Sequence, residues 1–193
     1  MNDTRSYRLA FLVLGVVAVL LVGFHATSGR SVATVGAEQS AMETVADPRG
    51  YVLKHSEGEI NFPGEEGLFI TKASPRSGTQ GSVMFYDEMP QGSTSGVHYH
   101  TEADEFFYVL QGRGTITLGE TDTPIEKGDT IVVFVGEDHR ITSSKEDPLV
   151  VIYFLDRPGL EEQFRLMLDR ESMTLEEFNA IVAKLGTVYK SFD

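Results

Sequence analysis

Hydrophobic and polar residues alternate along most of the middle of this chain, and the alternation sets the first prediction. From Leu68 onward the period is two, the signature of strands with one buried face. The runs cover residues 68–72, 82–88, 97–100, 105–110, 115–118, 130–135, 140–143 and 149–155. Turn residues separate them: Gly112-Arg113-Gly114, Gly119-Glu120, Lys127-Gly128, Gly136-Glu137-Asp138 and Glu146-Asp147-Pro148. Many short strands with regular turns predict an all-β sandwich or barrel. Ahead of them, residues 38–66 form a polar lead-in broken by Asp47-Pro48-Arg49-Gly50 and Pro63-Gly64, with short strands expected at 51–53 and 59–62.

The period changes at both ends. After residue 157, Leu160, Phe164, Met167 and Leu168 recur at helical spacing, and Leu175, Phe178, Ile181, Val182 and Leu185 do so more cleanly. Thr174 and Glu177 form a capping box at the second start, Met173 and Phe178 suit a hydrophobic staple, and Gly186 ends the run. These two C-terminal helices, within 158–193, are expected to cover barrel surface or a dimer edge, with a lid over the barrel mouth as the alternative. At the other end, Arg5 and Arg8 precede an apolar run over 9–24, followed by small residues with Ala33 and Ala37 at cleavage-like positions. Residues 1–37 therefore read as a signal peptide or, uncleaved, as a membrane anchor through 9–24. Either way the domain is expected outside the cytoplasm, periplasmic or extracellular, with the arginines inside.

Composition narrows the picture. The chain has no cysteine, so neither disulfides nor thiolate ligands are available to an exported domain. A formal charge of −13 argues against nucleic-acid binding, which needs a basic footprint.

Candidate chemistry concentrates in four residues. His98 and His100 lie two apart on one strand and so share a face. Glu105 follows a short polar turn on the returning strand, and His139 arrives after a further strand pair. Only five histidines occur in the chain, and three fall in this cluster. Three imidazole nitrogens and one carboxylate oxygen make a ligand set for one divalent first-row metal. Glu105 doubles as a candidate catalytic base. Glu102 is a weaker substitute ligand, His55 reads as a surface residue, and Ile141 and Ser143 share the face of His139. Phe107 and Val109 should face inward with Glu105, while Phe106, Tyr108 and Leu110 face out.

The full spacing is G-x5-H-x-H-x4-E-x6-G over Gly92 to Gly112, then G-x5-F-x-G-x2-H over Gly128 to His139. This closely resembles the paired motifs of the cupin superfamily, single-domain type. Two positions depart from it: Phe134 replaces the usual proline, and Ser143 a frequent asparagine. The resemblance implies a small double-stranded β-helix (jelly-roll) barrel at 67–157 whose interior holds the metal ligands. It favours Fe(II) or Mn(II), with Ni, Cu and Zn chemically open, and a homodimer. A looser likeness to bacterial quercetin dioxygenase-like cupins, through Pro158-Gly159-Leu160-Glu161-Glu162-Gln163-Phe164, implies an oxidoreductase using dioxygen on a small organic substrate, phenols among the candidates. Two alternatives stay open. One is an oxygen-independent isomerase, lyase or decarboxylase of a small acid or sugar; the other is a non-catalytic small-molecule binding barrel.

Overall fold

The computed structural model describes residues 50–64, 67–168 and 174–191. Eleven strands appear among them: β1 (Glu59–Gly64), β2 (Gly67–Ala73), β3 (Val83–Met89), β4 (Val97–His100), β5 (Glu105–Gln111), β6 (Arg113–Leu118), β7 (Thr121–Glu126), β8 (Thr130–Val133), β9 (His139–Ser143), β10 (Leu149–Leu155) and β11 (Thr187–Ser191). Two helices, α1 (Leu160–Leu168) and α2 (Leu175–Val182), lie between β10 and β11. A six-stranded sheet, ordered β1-β2-β3-β10-β5-β8, faces a five-stranded sheet, ordered β11-β4-β9-β6-β7. This is the jelly-roll architecture expected.

Alternation builds the interior. Leu149, Val151, Tyr153 and Leu155 of β10 are buried, as are Glu105, Phe107 and Val109 of β5, while Tyr108 and Phe154 are exposed. β10 runs antiparallel to both β3 and β5, which places Phe85, Tyr153 and Phe107 in one inward row. The opposite sheet contributes Ile116, Ile125 and Ile141 to the same core. The crossing from β5 into β6 turns on Gly112, whose φ is +79°. A Cβ there would lie 1.9 Å from the Pro148 carbonyl oxygen, so only glycine fits.

Two expectations are corrected. Residues 51–53 form no strand; Tyr51 instead meets Ser77 Oγ at 2.8 Å, and Lys72 donates to the carbonyls of Lys54, His55 and Glu57. Those long-range side-chain bonds hold residues 51–57 as a loop, ahead of β1. The strand read over 130–135 stops at Val133, because Phe134 to Asp138 make a turn closed by Glu137 N–H to Phe134 O at 3.0 Å. The turn forms without the proline usual in the motif. Two strands are also additions to the sequence reading: β7, an edge strand with one buried residue, Ile125, and β11, which pairs with β4.

The C-terminal helices form as read. Thr174 Oγ1 accepts from Glu177 N–H at 3.2 Å, and the Glu177 carboxylate accepts from Thr174 N–H at 2.8 Å. A single-turn helix, Ala183–Leu185, follows α2 and ends at Gly186, φ +88°. Arg165 fastens α1 to the barrel by pairing with Glu59 of β1, and it also pairs with Glu162 of its own helix. Met173 of the expected staple and the N-terminal segment 1–37 lie outside the described residues. Among the described residues no helix is long and apolar enough to cross a membrane.

Candidate metal centre

Two sheets supply the site. His98 and His100 come from β4, and His139 opens β9 directly opposite His98 in the antiparallel ladder. Glu105 opens β5 on the facing sheet, between Leu155 and Val133. Strand alternation turns all four inward, and every one is buried. One ligand atom from each lies within 4.8 Å of all the others. The structure thus gathers every residue of the sequence-derived set. Glu102 is exposed and outside it, and so is His55, which pairs with Glu88 on the outer face.

The second nitrogen of each ring fixes its orientation. His98 Nδ1 lies 3.2 Å from the Gly96 carbonyl, His139 Nδ1 lies 3.0 Å from the Glu137 carbonyl, and His100 Nδ1 lies 3.2 Å from Thr187 Oγ1. A carbonyl can only accept, so Nδ1 of His98 and His139 carries the proton and Nε2 keeps its lone pair. The Thr187 hydroxyl can do the same for His100. This is the arrangement of imidazoles that ligate through Nε2.

Electrostatics agree for His98 and Glu105. Burial disfavours charge on His98, and the neighbouring His139 and His100 push the same way, so its pKa falls well below the ordinary value. Burial also opposes ionisation of Glu105, but the charge and hydrogen bond of His100, with His139, override it and hold this carboxyl well below the usual range. His139 is raised: burial works against its charged form, and the Glu105 carboxylate outweighs burial. Glu105 Oε2 stands 2.9 Å from His139 Nε2 and 3.3 Å from His100 Nε2. Yet His139 Nε2 is buried and has no aligned hydrogen bond. Three imidazole nitrogens and a carboxylate oxygen gathered within 4.8 Å of one another fit a shared cation. A divalent ion therefore suits the residues present: three imidazole nitrogens, one carboxylate oxygen, and no cysteine to close a structural zinc site.

The C-terminal strand completes the centre, and no sequence pattern foresees this. Register places Thr187 opposite His100 and Tyr189 opposite His98. The Tyr189 ring stacks on His98, centroids 4.8 Å apart and planes 18° apart. Asn179 of α2 clamps the Tyr189 backbone with two hydrogen bonds, of 2.7 and 2.8 Å. Burial pushes the Tyr189 hydroxyl pKa up strongly, with the Glu105 charge adding to it. Ser143 stands in the position where the resembled motif often has asparagine. It accepts from Ser93 N–H at 3.0 Å and so braces the loop ahead of β4. A cleft of about 190 Å³ opens beside this centre, bordered by His100, Thr187, Leu155, Arg157, Leu160 and Lys184.

Comparison with known proteins agrees with this geometry. Residues 85–155, which carry the four ligands, match the family described as Cupin domain. The chain belongs to the cupin superfamily. Among curated relatives it is 34% identical over 64 residues to an uncharacterized protein of Methanocaldococcus jannaschii, covering 33% of this chain and 51% of that protein. It is 35% identical over 57 residues to the oxalate-binding protein of Thermotoga maritima, covering 30% and 47%. An uncharacterized protein of Streptomyces coelicolor is 32% identical over 73 residues, covering 38% and 68%. The chain spans about half the length of the first two relatives. Among solved structures, KdgF from Halomonas sp. superposes with a TM-score of 0.50 at 19% identity, covering 58% of this chain and 99% of that one, a likeness of fold alone.

Proposed function

We propose that this cupin is a metal-dependent, dioxygenase-like oxidoreductase, exported from the cytoplasm, that acts on a small phenolic or related organic substrate. The observation that carries the reading is the set of three oriented imidazoles and one buried carboxylate sharing a point. His98, His100, Glu105 and His139 would hold Fe(II) or Mn(II). Such an ion supplies Lewis acidity and one-electron redox chemistry in a set that leaves positions free for substrate. The chain's own groups do the rest. Glu105 is the anionic ligand and the nearest acceptor for a substrate proton. Phe107 and Tyr153, centroids 5.2 Å apart, form an apolar wall on the strands beside it. The neighbouring cleft is sized for a small molecule. Export rests on the apolar run at 9–24, and a homodimer through the exposed apolar side chains Tyr108, Val132, Phe134 and Phe154 belongs to the same proposal.

A second reading has its own support. One curated relative carries the name oxalate-binding protein, and Arg157 and Lys184 border the cleft over His100. These features favour a small carboxylate that is bound, or decarboxylated, without oxygen. Oxygen uptake by the Fe(II)- and Mn(II)-loaded full chain, with phenolic and oxalate probes, separates the two. Uptake that needs both metal and a phenol supports the first reading. Oxalate binding or carbon dioxide release without uptake replaces it with the second.

A further inference from the structure

Three chain segments meet beside His100, and close backbone contacts lock them together. Thr101, in the β4–β5 turn, donates its N–H to the Gly186 carbonyl ahead of β11 at 2.8 Å. Asp104, at the end of the same turn, donates its N–H to the Asp156 carboxylate just past β10 at 3.1 Å. Gly159, φ +142°, approaches the single-turn helix so closely that a Cβ there would lie 2.1 Å from the Leu185 carbonyl oxygen. The cleft of about 190 Å³ lies between these segments, with buried His100 and Leu155 on its lining. Its walls are held in place by the fold, so binding need not order them first.

Two cations stand on that lining, Arg157 two residues before Gly159 and Lys184 one residue before Leu185. The contact between Gly159 and Leu185 therefore sets their spacing. Both side chains are exposed, and among the described residues neither makes an ion pair or a side-chain hydrogen bond. Arg76, Arg113 and Arg165, by contrast, each pair with a carboxylate. Partners are plentiful in a chain with 29 acidic and 16 basic residues, yet the acids adjoining this mouth are turned elsewhere. Asp104 accepts from Val135 N–H at 2.9 Å, and Asp156 accepts from Asp104 N–H. Glu102 lines the cleft and pairs with neither cation, so two positive groups face one negative. In a chain of formal charge −13, this leaves a locally positive mouth over the metal centre.

We propose that this cleft is where the metal centre receives its substrate, and that the substrate is a small carboxylic acid whose carboxylate is held by Arg157 and Lys184. The assignment rests on the carboxylate reading above and adds the residues that recognise the acid. A guanidinium offers a carboxylate two parallel N–H donors, and the ammonium adds a second charge from the other wall. Ala103, Leu155 and Leu160 share the lining, so the bound carboxylate is drawn partly out of water. There its attraction to both cations exceeds that of an ion pair on open surface. With the acid group at the mouth, the other end of a small ligand rests against His100.

The test is calorimetric titration of the full chain, Co(II)-loaded and metal-stripped, with oxalate, malonate and lactate and with the uncharged oxamide, malonamide and lactamide. The metal-stripped form is needed because a carboxylate also binds metals directly. In both forms the wild type should bind at least one acid about tenfold more tightly than its amide. The double variant Arg157→Gln, Lys184→Gln alters only exposed side chains, so it should fold and hold Co(II) as the wild type does, and the preference for the acid should vanish. Lys127→Gln, which removes an exposed cation of the β7–β8 turn, should change nothing. The Co(II) visible spectrum should shift as the acid binds, because the cleft ends at His100. A preference that survives in the double variant overturns the assignment and leaves the carboxylate reading standing. A preference seen only with Co(II) bound belongs to the metal, an equal loss in Lys127→Gln belongs to net charge, and an unmoved spectrum detaches the cleft from the centre; each overturns it. A wild type that prefers none of the three acids in either form overturns the carboxylate reading together with the assignment.

Discussion

Thr187 and His100, 87 residues apart in sequence, face each other across the β11–β4 ladder with the hydroxyl 3.2 Å from Nδ1. The second helix and the strand that follows it therefore reach back into the metal centre. Thr187→Val keeps the shape and removes the oxygen. Loss of such a partner typically weakens metal binding about 10–100-fold, and the same loss is expected here for Mn(II), with the fold intact by circular dichroism. Unchanged affinity would show that β11 is only packing.

His139→Ala removes a ligand outright, so its effect should exceed that range, with binding weaker by more than about 100-fold. The barrel should stay folded, since Ile116, Val151 and Phe85 hold the core independently of this ring. Full retention of metal by the folded variant would contradict the assignment of His139.

Asp87 gives a pH dependence of known sign. It shares the inward face of β3 with Phe85 and Met89, and burial, with the charge of Glu88, pushes its carboxyl pKa up to about 7. A raised carboxyl keeps its proton in the folded state after the unfolded chain has lost it. Its stabilising share is thus complete below about pH 4 and is lost as pH rises through about 7. Asp87→Asn should therefore gain about 1–3 kcal/mol in urea unfolding at pH 8 and nothing at pH 4. Equal gains at both pH values would contradict the raised carboxyl.

Three of the four motif glycines, Gly92, Gly112 and Gly128, should differ in tolerance. Gly92 and Gly128 have positive φ, but a Cβ at either would meet open space or a contact no closer than 3.6 Å. Alanine there costs only backbone strain, about 1–2 kcal/mol. Gly112 combines φ +79° with a Cβ position 1.9 Å from the Pro148 oxygen. Gly112→Ala should cost more than about 3 kcal/mol and lower the soluble yield, while the other two variants purify normally. Similar melting temperatures for all three would count against this ranking.

How much of this is legible in the sequence follows from which forces are local. Strand alternation alone places His98, His100, Glu105 and His139 on inward faces, and Thr174 with Glu177 announces the start of α2. Both signals depend on neighbours a few residues away. β7 escapes because an edge strand reading Thr-Asp-Thr-Pro-Ile-Glu buries only Ile125 and so has no alternation to detect. β11 escapes because its two buried residues, Thr187 and Tyr189, meet partners on β4 that no local pattern names. Gln163 escapes for the same reason. In sequence it is one polar residue in an amphipathic helix, and only the packing of α1 reveals that it is sealed from solvent beside Tyr189. The Tyr51 loop shows the reverse error, where a short apolar run suggests pairing but Lys72 captures its neighbouring carbonyls.

Everything proposed for this cupin depends on one cation site shared by His98, His100, Glu105 and His139. Equilibrium titration of the metal-stripped full chain with Mn(II), followed by elemental analysis after gel filtration, addresses it directly. One ion per chain is expected, with none retained by a folded His98→Ala, His139→Ala double variant. A folded wild-type chain that binds no Mn(II), Fe(II), Co(II), Ni(II), Cu(II) or Zn(II), or a double variant that binds as the wild type does, would contradict the account.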